Sequence, residues 1–337
     1  MKRDFWSESR VLMIGGGNWG SVLGLLAAPH CKELRVWMRS EEQARAINST
    51  RTNERYLPKI PLPENIKAYY EPDRAFEMGV DAVIWALPSS ACRPMAKEFA
   101  KYFSGQEILI HATKGVEQGT LKRISEILRE EMPCPRVGVL SGPNLSDEIA
   151  RGEPAATVVA SDFAEVREAG MRLFSSKKFR VVTSADLIGV EWAGTLKNVL
   201  SIASGALNSL GLGMNVRAML IAQGLAEMVR FGEAMGGREA TFLGLAGVGD
   251  LLATASSPLS RNYQVGFKLG QGIPLDTIVK ELNVTAEGVA TTRNVARFAL
   301  ERDIRMPITQ GVASLLRGEK SARAVIDDLM IPWPDES

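Results

Sequence analysis

An α/β chain with a doubly wound, largely parallel sheet at its N-terminal end and an all-helical C-terminal domain is what this sequence predicts, on three observations. Short apolar runs of strand type alternate with helix-forming segments up to about residue 183. A glycine-rich turn stands between the first of those runs and the first helix. Beyond about residue 184 the strand rhythm fades, and long helical patterns continue to the C-terminus. Alternation of strand and helix implies crossover connections, and so a parallel sheet covered by helices on both faces. A chain of 337 residues can bury two separate cores. The expected division is a dinucleotide-binding domain over 1–183 and a helical substrate and catalytic domain over 184–337.

The first strand is residues 11–14, followed at once by GGGNWG and a small, apolar helical segment at 21–28. In that context Gly15, Gly17 and Gly20 satisfy the G-x-G-x-x-G pattern of a Rossmann-type nucleotide fold. The first permits the turn, the second lets a pyrophosphate approach the backbone, and the third lets helix and strand pack closely. The helix N-terminus then offers N–H groups and a favourable dipole to the phosphates. The second strand, 34–38, is followed directly by Arg39, where a guanidinium can pair with the 2′-phosphate of NADP. The nearby Glu41 keeps NAD open, so the expected cofactor is NADP or NAD, with NADP favoured. Residues 49–65 form a polar excursion. Further strands are expected at 66–70, 82–86, 108–112, 137–140, 156–160 and 180–182.

Ligands of such sheets gather beyond the carboxyl ends of the strands. Those ends carry ALPSS at 86–90, HATKG at 111–115 and SGPN at 141–144. Lys114 stands just past a strand end, placed to reach an anionic group, whereas His111 reads as a structural strand residue.

Composition excludes several functions. Forty basic and thirty-nine acidic residues leave a formal charge of +1, so no overall field attracts nucleic acid or an anionic membrane. Cys31, Cys92 and Cys134 are few, odd in number and widely spaced, which argues against a disulfide framework or a cysteine zinc site and fits a reducing cytoplasm. With only His30 and His111 available, no metal site and no histidine-centred triad is expected. The start, MKRDFWSESR, lacks the apolar stretch of a signal peptide, the final PWPDES matches no lipidation or retention tail, and no membrane-spanning run is found.

In the second half, Lys197 is the only charged residue between Glu191 and Arg217. Lysine is rarely buried without a partner. Asp250 lies in GLAGVGDLLATASSPLSRNYQVG, a glycine-rich, apolar setting where an unpaired carboxylate is costly, and is a natural partner for Lys197. Lys197, Ser201, Ser204 and Asn208 share one stripe at helical spacing. Ser260 is placed to cap a helix whose first turn displays Arg261 and Asn262, an arrangement suited to a phosphate. Further helices are expected at 216–234, 275–282, 292–302 and 321–330.

Taken together, GGGNWG, HATKG, SGPN, GVEWAGTLKN, GLAGVGDLLAT with SRN, and AEGV at 286–289 resemble, in order and over nearly the whole chain, the bacterial form of NAD(P)-dependent glycerol-3-phosphate dehydrogenase. The resemblance implies reversible hydride transfer between NAD(P)H and dihydroxyacetone phosphate, giving sn-glycerol 3-phosphate for glycerophospholipid synthesis. It implies that Lys197 is the catalytic lysine, acting with Asp250. Lys114, Gly142, Asn144, Asn198, Thr254, Ser260, Arg261 and Asn262 would surround the substrate. Gly15, Gly17, Asn18, Trp19, Gly20, Arg39, Ser146 and Glu287 would line the cofactor, with Lys114 and Arg261 also reaching it. Many relatives have cysteine where this chain has Ala255, so that cysteine is not essential here. Two other functions fit the same motifs: a β-hydroxyacid dehydrogenase acting on a 3-hydroxy carboxylate, and a non-catalytic NADP-binding sensor. Expected partners are a small phosphorylated substrate and, left open, a second copy of the chain in a homodimer, without nucleic acid or integral membrane association.

Overall fold

The structure is a computed structural model and describes residues 5–258, 260–282 and 287–330, the side chains of Phe5 and Glu287 excepted. Expectations resting on residues 1–4, Ala286, the Glu287 side chain and the 332–337 tail therefore lie outside the described residues. Backbone packing divides the chain into two compact units. One comprises the residues up to Lys114 with Lys122–Leu187, and the other Gly115–Leu121 with the residues from Ile188 onward.

The first unit is built on β1 (Arg10–Ile14), β2 (Glu33–Trp37), β3 (Thr52–Asn53), β4 (Leu57–Pro61), β5 (Ile66–Tyr69), β6 (Ala82–Trp85), β7 (Ile108–His111), β8 (Val137–Ser141), β9 (Ala155–Ala160) and β10 (Phe179–Ser184). Its helices are α1 (Asn18–Ala27), α2 (Glu41–Thr50), α3 (Pro72–Phe76), α4 (Ser89–Phe99), α5 (Ile124–Glu131), α6 (Ser146–Ala150) and α7 (Ala164–Phe174). Eight strands form one sheet in the order β10-β9-β8-β7-β6-β1-β2-β5. Pleating sends alternate residues of central β1 to opposite faces. Val11 and Met13 enter one apolar cluster, and Leu12 and Ile14 the other. Both faces are therefore covered, as the continuous apolar runs predict.

Two features differ from the sequence reading. β8 and β9 pair antiparallel. Their connection holds only the five-residue α6, without the longer crossover helix that usually joins parallel neighbours. The polar excursion at 49–65 is also structured, since β3 and β4 pair as a short antiparallel ladder.

The second unit contains α8 (Leu187–Ser209), α9 (Met214–Ala234), α10 (Glu239–Phe242), α11 (Asp250–Ala255), α12 (Arg261–Gly270), α13 (Leu275–Leu282), α14 (Glu287–Glu301), α15 (Pro307–Arg317) and α16 (Ala322–Leu329). A turn of π-helix over Leu245–Gly249 precedes α11. Three bare Cα positions set the packing of α8. A methyl group at Gly224 would fall 2.6 Å from Leu200, one at Gly205 would fall 2.0 Å from the Tyr263 carbonyl, and one at Gly266 would fall 1.8 Å from the Ile202 carbonyl. Thus α8 and α12 cross backbone against backbone. Buried Glu227 of α9 caps α15: its carboxylate accepts from the N–H of Ile308, and from the N–H and hydroxyl of Thr309 at 3.1 and 2.8 Å. The two N–H groups are orphan donors of a helix whose own N-cap residue, Met306, supplies no side-chain bond.

Candidate active site

At the sheet's switch point, where the connections turn from the β2 side to the β6 side, the ends of β1 and β6 meet. Gly15 has φ +115°, a conformation side chains resist, and a Cβ there would sit 2.5 Å from the Ala86 carbonyl oxygen. Gly20 fits only without a side chain, since a methyl would lie 2.0 Å from the Gly15 carbonyl oxygen. At Gly17, by contrast, a Cβ would meet nothing within 4 Å. Gly17 is also the N-cap of α1 and makes no side-chain cap, which leaves the first-turn N–H groups of a ten-residue helix for a ligand. A turn that is tight at its first and third glycines and open at its second fits a dinucleotide pyrophosphate.

The polar excursion supports this turn. Buried Asn53 donates to the Gly16 carbonyl at 3.0 Å and to Ser21 Oγ at 2.8 Å, while Gln43 donates to the same carbonyl at 3.3 Å and to Asn53 Oδ1 at 3.0 Å. Sequence reading missed both residues: Asn53 stands in a polar stretch rich in Pro and Asn that looks like solvated loop, and Gln43 stands among the polar residues of α2. Asn18 donates to Asp147 Oδ1 at 3.3 Å, beside Ser146 at the start of α6, and Trp19 packs against the core. Past β2, Arg39 is exposed. The nearby Glu41 is ion-paired with Arg45, one turn along α2.

The other strand ends interlock. Thr113 donates to the Leu87 carbonyl at 2.7 Å, Lys114 Nζ to the Gly142 carbonyl at 3.3 Å, and Asn144 Nδ2 to Thr157 Oγ1 at 2.9 Å. Lys114 therefore faces the SGPN turn. His111 is fully buried in β7.

In the helical unit, Lys197 is only 5 % exposed and Asp250 1 %. The two form a close ion pair, and Lys197 Nζ also donates to Thr254 Oγ1 at 2.7 Å. Thr254 stands one turn after Asp250 on α11, so one helix face presents both partners. The π-helical turn ahead of α11 depends on Gly247, where a methyl would fall 1.9 Å from the Phe242 carbonyl oxygen. The same stripe of α8 holds the following chain. Ser201 Oγ lies 3.4 Å from the Thr254 carbonyl and 3.1 Å from Ser260 Oγ, and Ser204 donates to the Ala255 carbonyl at 2.8 Å. Ser260 is the N-cap of α12, accepting from the Tyr263 N–H, and Arg261 is exposed at the first position. Asn262 donates to Asn198 Oδ1 at 3.0 Å, beside Gly288, whose missing side chain leaves room for it.

Among the predicted site residues, Lys197, Asp250, Thr254, Asn198, Ser260 and Asn262 are thus linked within the helical unit. Gly15, Gly17, Gly20, Lys114, Gly142 and Asn144 lie at strand ends of the sheet unit. Two cavities in the helical unit, of about 30 and 710 Å³, are lined by neither Lys197 nor Asp250. Among the described residues there is no group of three His, Cys, Asp or Glu that could hold a metal, and no helix long and apolar enough to cross a membrane.

A doubly wound nucleotide-type sheet, followed in the chain by a helical unit with a buried lysine–aspartate pair, is the composition of a two-domain dinucleotide-dependent dehydrogenase. Residues 10–167 match the family model for the NAD-dependent glycerol-3-phosphate dehydrogenase N-terminus, and residues 186–327 match that for the C-terminus. The chain belongs to the NAD-dependent glycerol-3-phosphate dehydrogenase family. A protein of Oceanobacillus iheyensis named glycerol-3-phosphate dehydrogenase [NAD(P)+] is 38 % identical over 323 residues, covering 95 % of this chain and 93 % of the relative. One of the same name from Acinetobacter baylyi is 43 % identical over 307 residues, covering 91 % and 85 %. The crystal structure of glycerol-3-phosphate dehydrogenase from Coxiella burnetii superposes with a TM-score of 0.89 at 31 % identity, covering 96 % of this chain and 99 % of that one.

Proposed function

We propose that this chain transfers hydride reversibly between NAD(P)H and C2 of dihydroxyacetone phosphate, giving sn-glycerol 3-phosphate for glycerophospholipid synthesis, with Lys197 as the proton donor. The observation that carries the role of Lys197 is its burial against Asp250 and Thr254, an expensive arrangement for a lysine with no chemical task. The bound reduced nicotinamide supplies the hydride. Lys197 donates a hydrogen bond to the C2 carbonyl oxygen and then a proton to the alkoxide, and Asp250 with Thr254 fixes the ammonium during that transfer. Asn198, held by Asn262, orients a substrate hydroxyl. Arg261 and the N–H groups that open α12 hold the phosphate, so that binding energy remote from C2 serves to position it.

For the coenzyme, the glycine turn with the N-terminus of α1 takes the pyrophosphate, Asn18, Trp19, Ser146 and Glu287 line it, and Arg39 meets the 2′-phosphate of NADP. Lys114, with Gly142 and Asn144, serves the reacting end. A two-unit organisation in which the sheet unit binds dinucleotide and the helical unit binds substrate follows from these roles. A cytoplasmic location completes the reading, in keeping with three buried cysteines outside any disulfide.

The deciding experiment measures oxidation of NADPH and NADH with dihydroxyacetone phosphate and with unphosphorylated dihydroxyacetone, in the native chain and in Arg261→Ala. The native chain should turn over the phosphorylated ketone far faster, and Arg261→Ala should lose mainly that advantage. Equal harm to both substrates would remove Arg261 from the phosphate site, and turnover of 3-hydroxy carboxylates in preference would overturn the reaction.

A further inference from the structure

Thr157 carries a hydroxyl in the middle of β9, 0 % exposed, within a run of Ala and Val that needs no polar group. Its Oγ1 lies 3.2 Å from the Ser141 carbonyl oxygen and 2.9 Å from Asn144 Nδ2. Those two residues bracket the SGPN turn. Between them, Gly142 packs on the same residue, since a Cβ at 142 would lie 3.0 Å from Thr157 Cα. One buried threonine therefore holds the turn that follows β8 at three points.

The bonding fixes more than position. A hydroxyl has one proton to give. A carbonyl oxygen can only accept, so the Thr157 proton is committed to Ser141, and toward Asn144 the same oxygen can only accept. The Asn144 amide must then turn its NH₂ group to Thr157, which leaves Oδ1 as the atom it presents elsewhere. That Oδ1 is buried and has no hydrogen-bond partner among the described residues. A buried acceptor left unsatisfied is costly, and such atoms point to a partner supplied from outside the chain.

We infer that Thr157 is a positioning residue that locks the Asn144 amide so that Oδ1 faces the reacting end of the bound ligands as a hydrogen-bond acceptor, selecting a ligand that donates an N–H or O–H there. This rests on the dehydrogenase reading above, in which Asn144 lies by the nicotinamide or substrate. Two ligand groups offer that donor: the amino group of the nicotinamide carboxamide, and the C1 hydroxyl of the ketone. Lys114, which donates to the Gly142 carbonyl, helps hold the turn but cannot set the sense of the amide.

The test compares the native full-length chain with Thr157→Val, which keeps the shape and removes the hydroxyl, with Thr157→Ser, which restores it, and with Asn144→Leu. The first arm needs no turnover. Affinities for the reduced coenzyme and for its 3-acetylpyridine analogue, in which a methyl replaces the amino group, are measured by calorimetry. The second arm measures kcat/KM for dihydroxyacetone phosphate and for its 1-deoxy analogue. If the carboxamide is the donor, the native chain prefers the ordinary coenzyme by about tenfold, the worth of one such hydrogen bond, and Thr157→Val and Asn144→Leu abolish that preference while Thr157→Ser keeps it. If the substrate hydroxyl is the donor, the same pattern appears in the second arm alone. Thr157→Val that leaves both preferences intact, or that weakens every ligand by the same factor, overturns the inference. Thermal melts of each variant separate loss of fold from loss of discrimination. A native chain that binds coenzyme but never turns over the ketone would overturn the reaction assigned above, and the coenzyme arm alone would then decide the acceptor role of Asn144.

Discussion

The carbonyl oxygen of Ile202 occupies the place where a side chain at Gly266 would begin, 1.8 Å from the position of its Cβ. This contact sets the distance between α8, which carries Lys197 and Asn198, and α12, which carries Asn262. Gly266→Ala should push the helices apart at the cost of about 1–3 kcal/mol, as overpacking of a close core generally does. Denaturant unfolding would register the loss. Substrate KM should rise as the bond between Asn262 and Asn198 lengthens, and a variant with native stability and KM would show that the crossing has room to spare.

Lys197 and Asp250 should behave as a pair. Lys197→Met leaves a carboxylate buried without its ammonium, and removing one partner of a buried pair typically costs about 3–5 kcal/mol. Adding Asp250→Leu should recover most of that stability. Activity should stay lost, by at least about a hundredfold, in both variants, because the proton donor is gone. Recovery of turnover in the double variant would assign the proton to another group.

Arg39 should govern coenzyme choice. It stands exposed just past β2 while Glu41 is engaged by Arg45. Arg39→Ala should weaken NADPH binding by about tenfold, the scale of one charge-assisted contact to a phosphate, and leave NADH binding nearly unchanged. Titration of both coenzymes reads the difference, and parallel losses would place the 2′-phosphate elsewhere.

Glu227 should make stability depend on pH. Burial pushes its carboxyl up from 4.5 to about 7, against the N–H and hydroxyl donors of Ile308 and Thr309, which favour the charged form. Between those values the folded chain holds a proton that the unfolded chain has released. Its contribution is therefore full below about pH 4.5 and is lost as pH rises through about 7. The difference in unfolding free energy between the native chain and Glu227→Gln should fall across that window, by up to about 1.4 kcal/mol per pH unit. A flat difference would mean that the cap keeps its charge throughout.

Sequence patterns reached every strand of the large sheet: central strands such as β1 and β6 are unbroken apolar runs because both their faces are buried, and the edge strands β5 and β10 keep shorter apolar stretches among polar residues. They also paired Lys197 with Asp250, since two isolated charges in apolar surroundings have few other ways to be buried. What they missed depends on geometry rather than composition. Thr157 is indistinguishable from an ordinary β-branched strand former until its hydroxyl is seen facing Ser141 and Asn144. Asn53 stands in a stretch whose polarity suggests solvent, yet its amide holds the Gly16 carbonyl. The antiparallel pairing of β9 with β8 goes with a connection whose helix is only five residues long, which periodicity does not weigh. No local pattern announced that Glu227 would cap a helix eighty residues further on.

The segment Gly115–Leu121 leaves the sheet unit, joins the helical unit, and returns before α5 begins. Its Gly119 carbonyl accepts from Arg297, which lies 178 positions later. During synthesis the sheet can close once β10 has emerged, whereas the bond to the Gly119 carbonyl forms only after Arg297 has left the ribosome. The two halves are consequently stitched by three passages of the chain instead of one. Severing the chain after Leu187 would strand the excursion away from its destination, so the halves are poor candidates for separate production or for exchange with those of a relative.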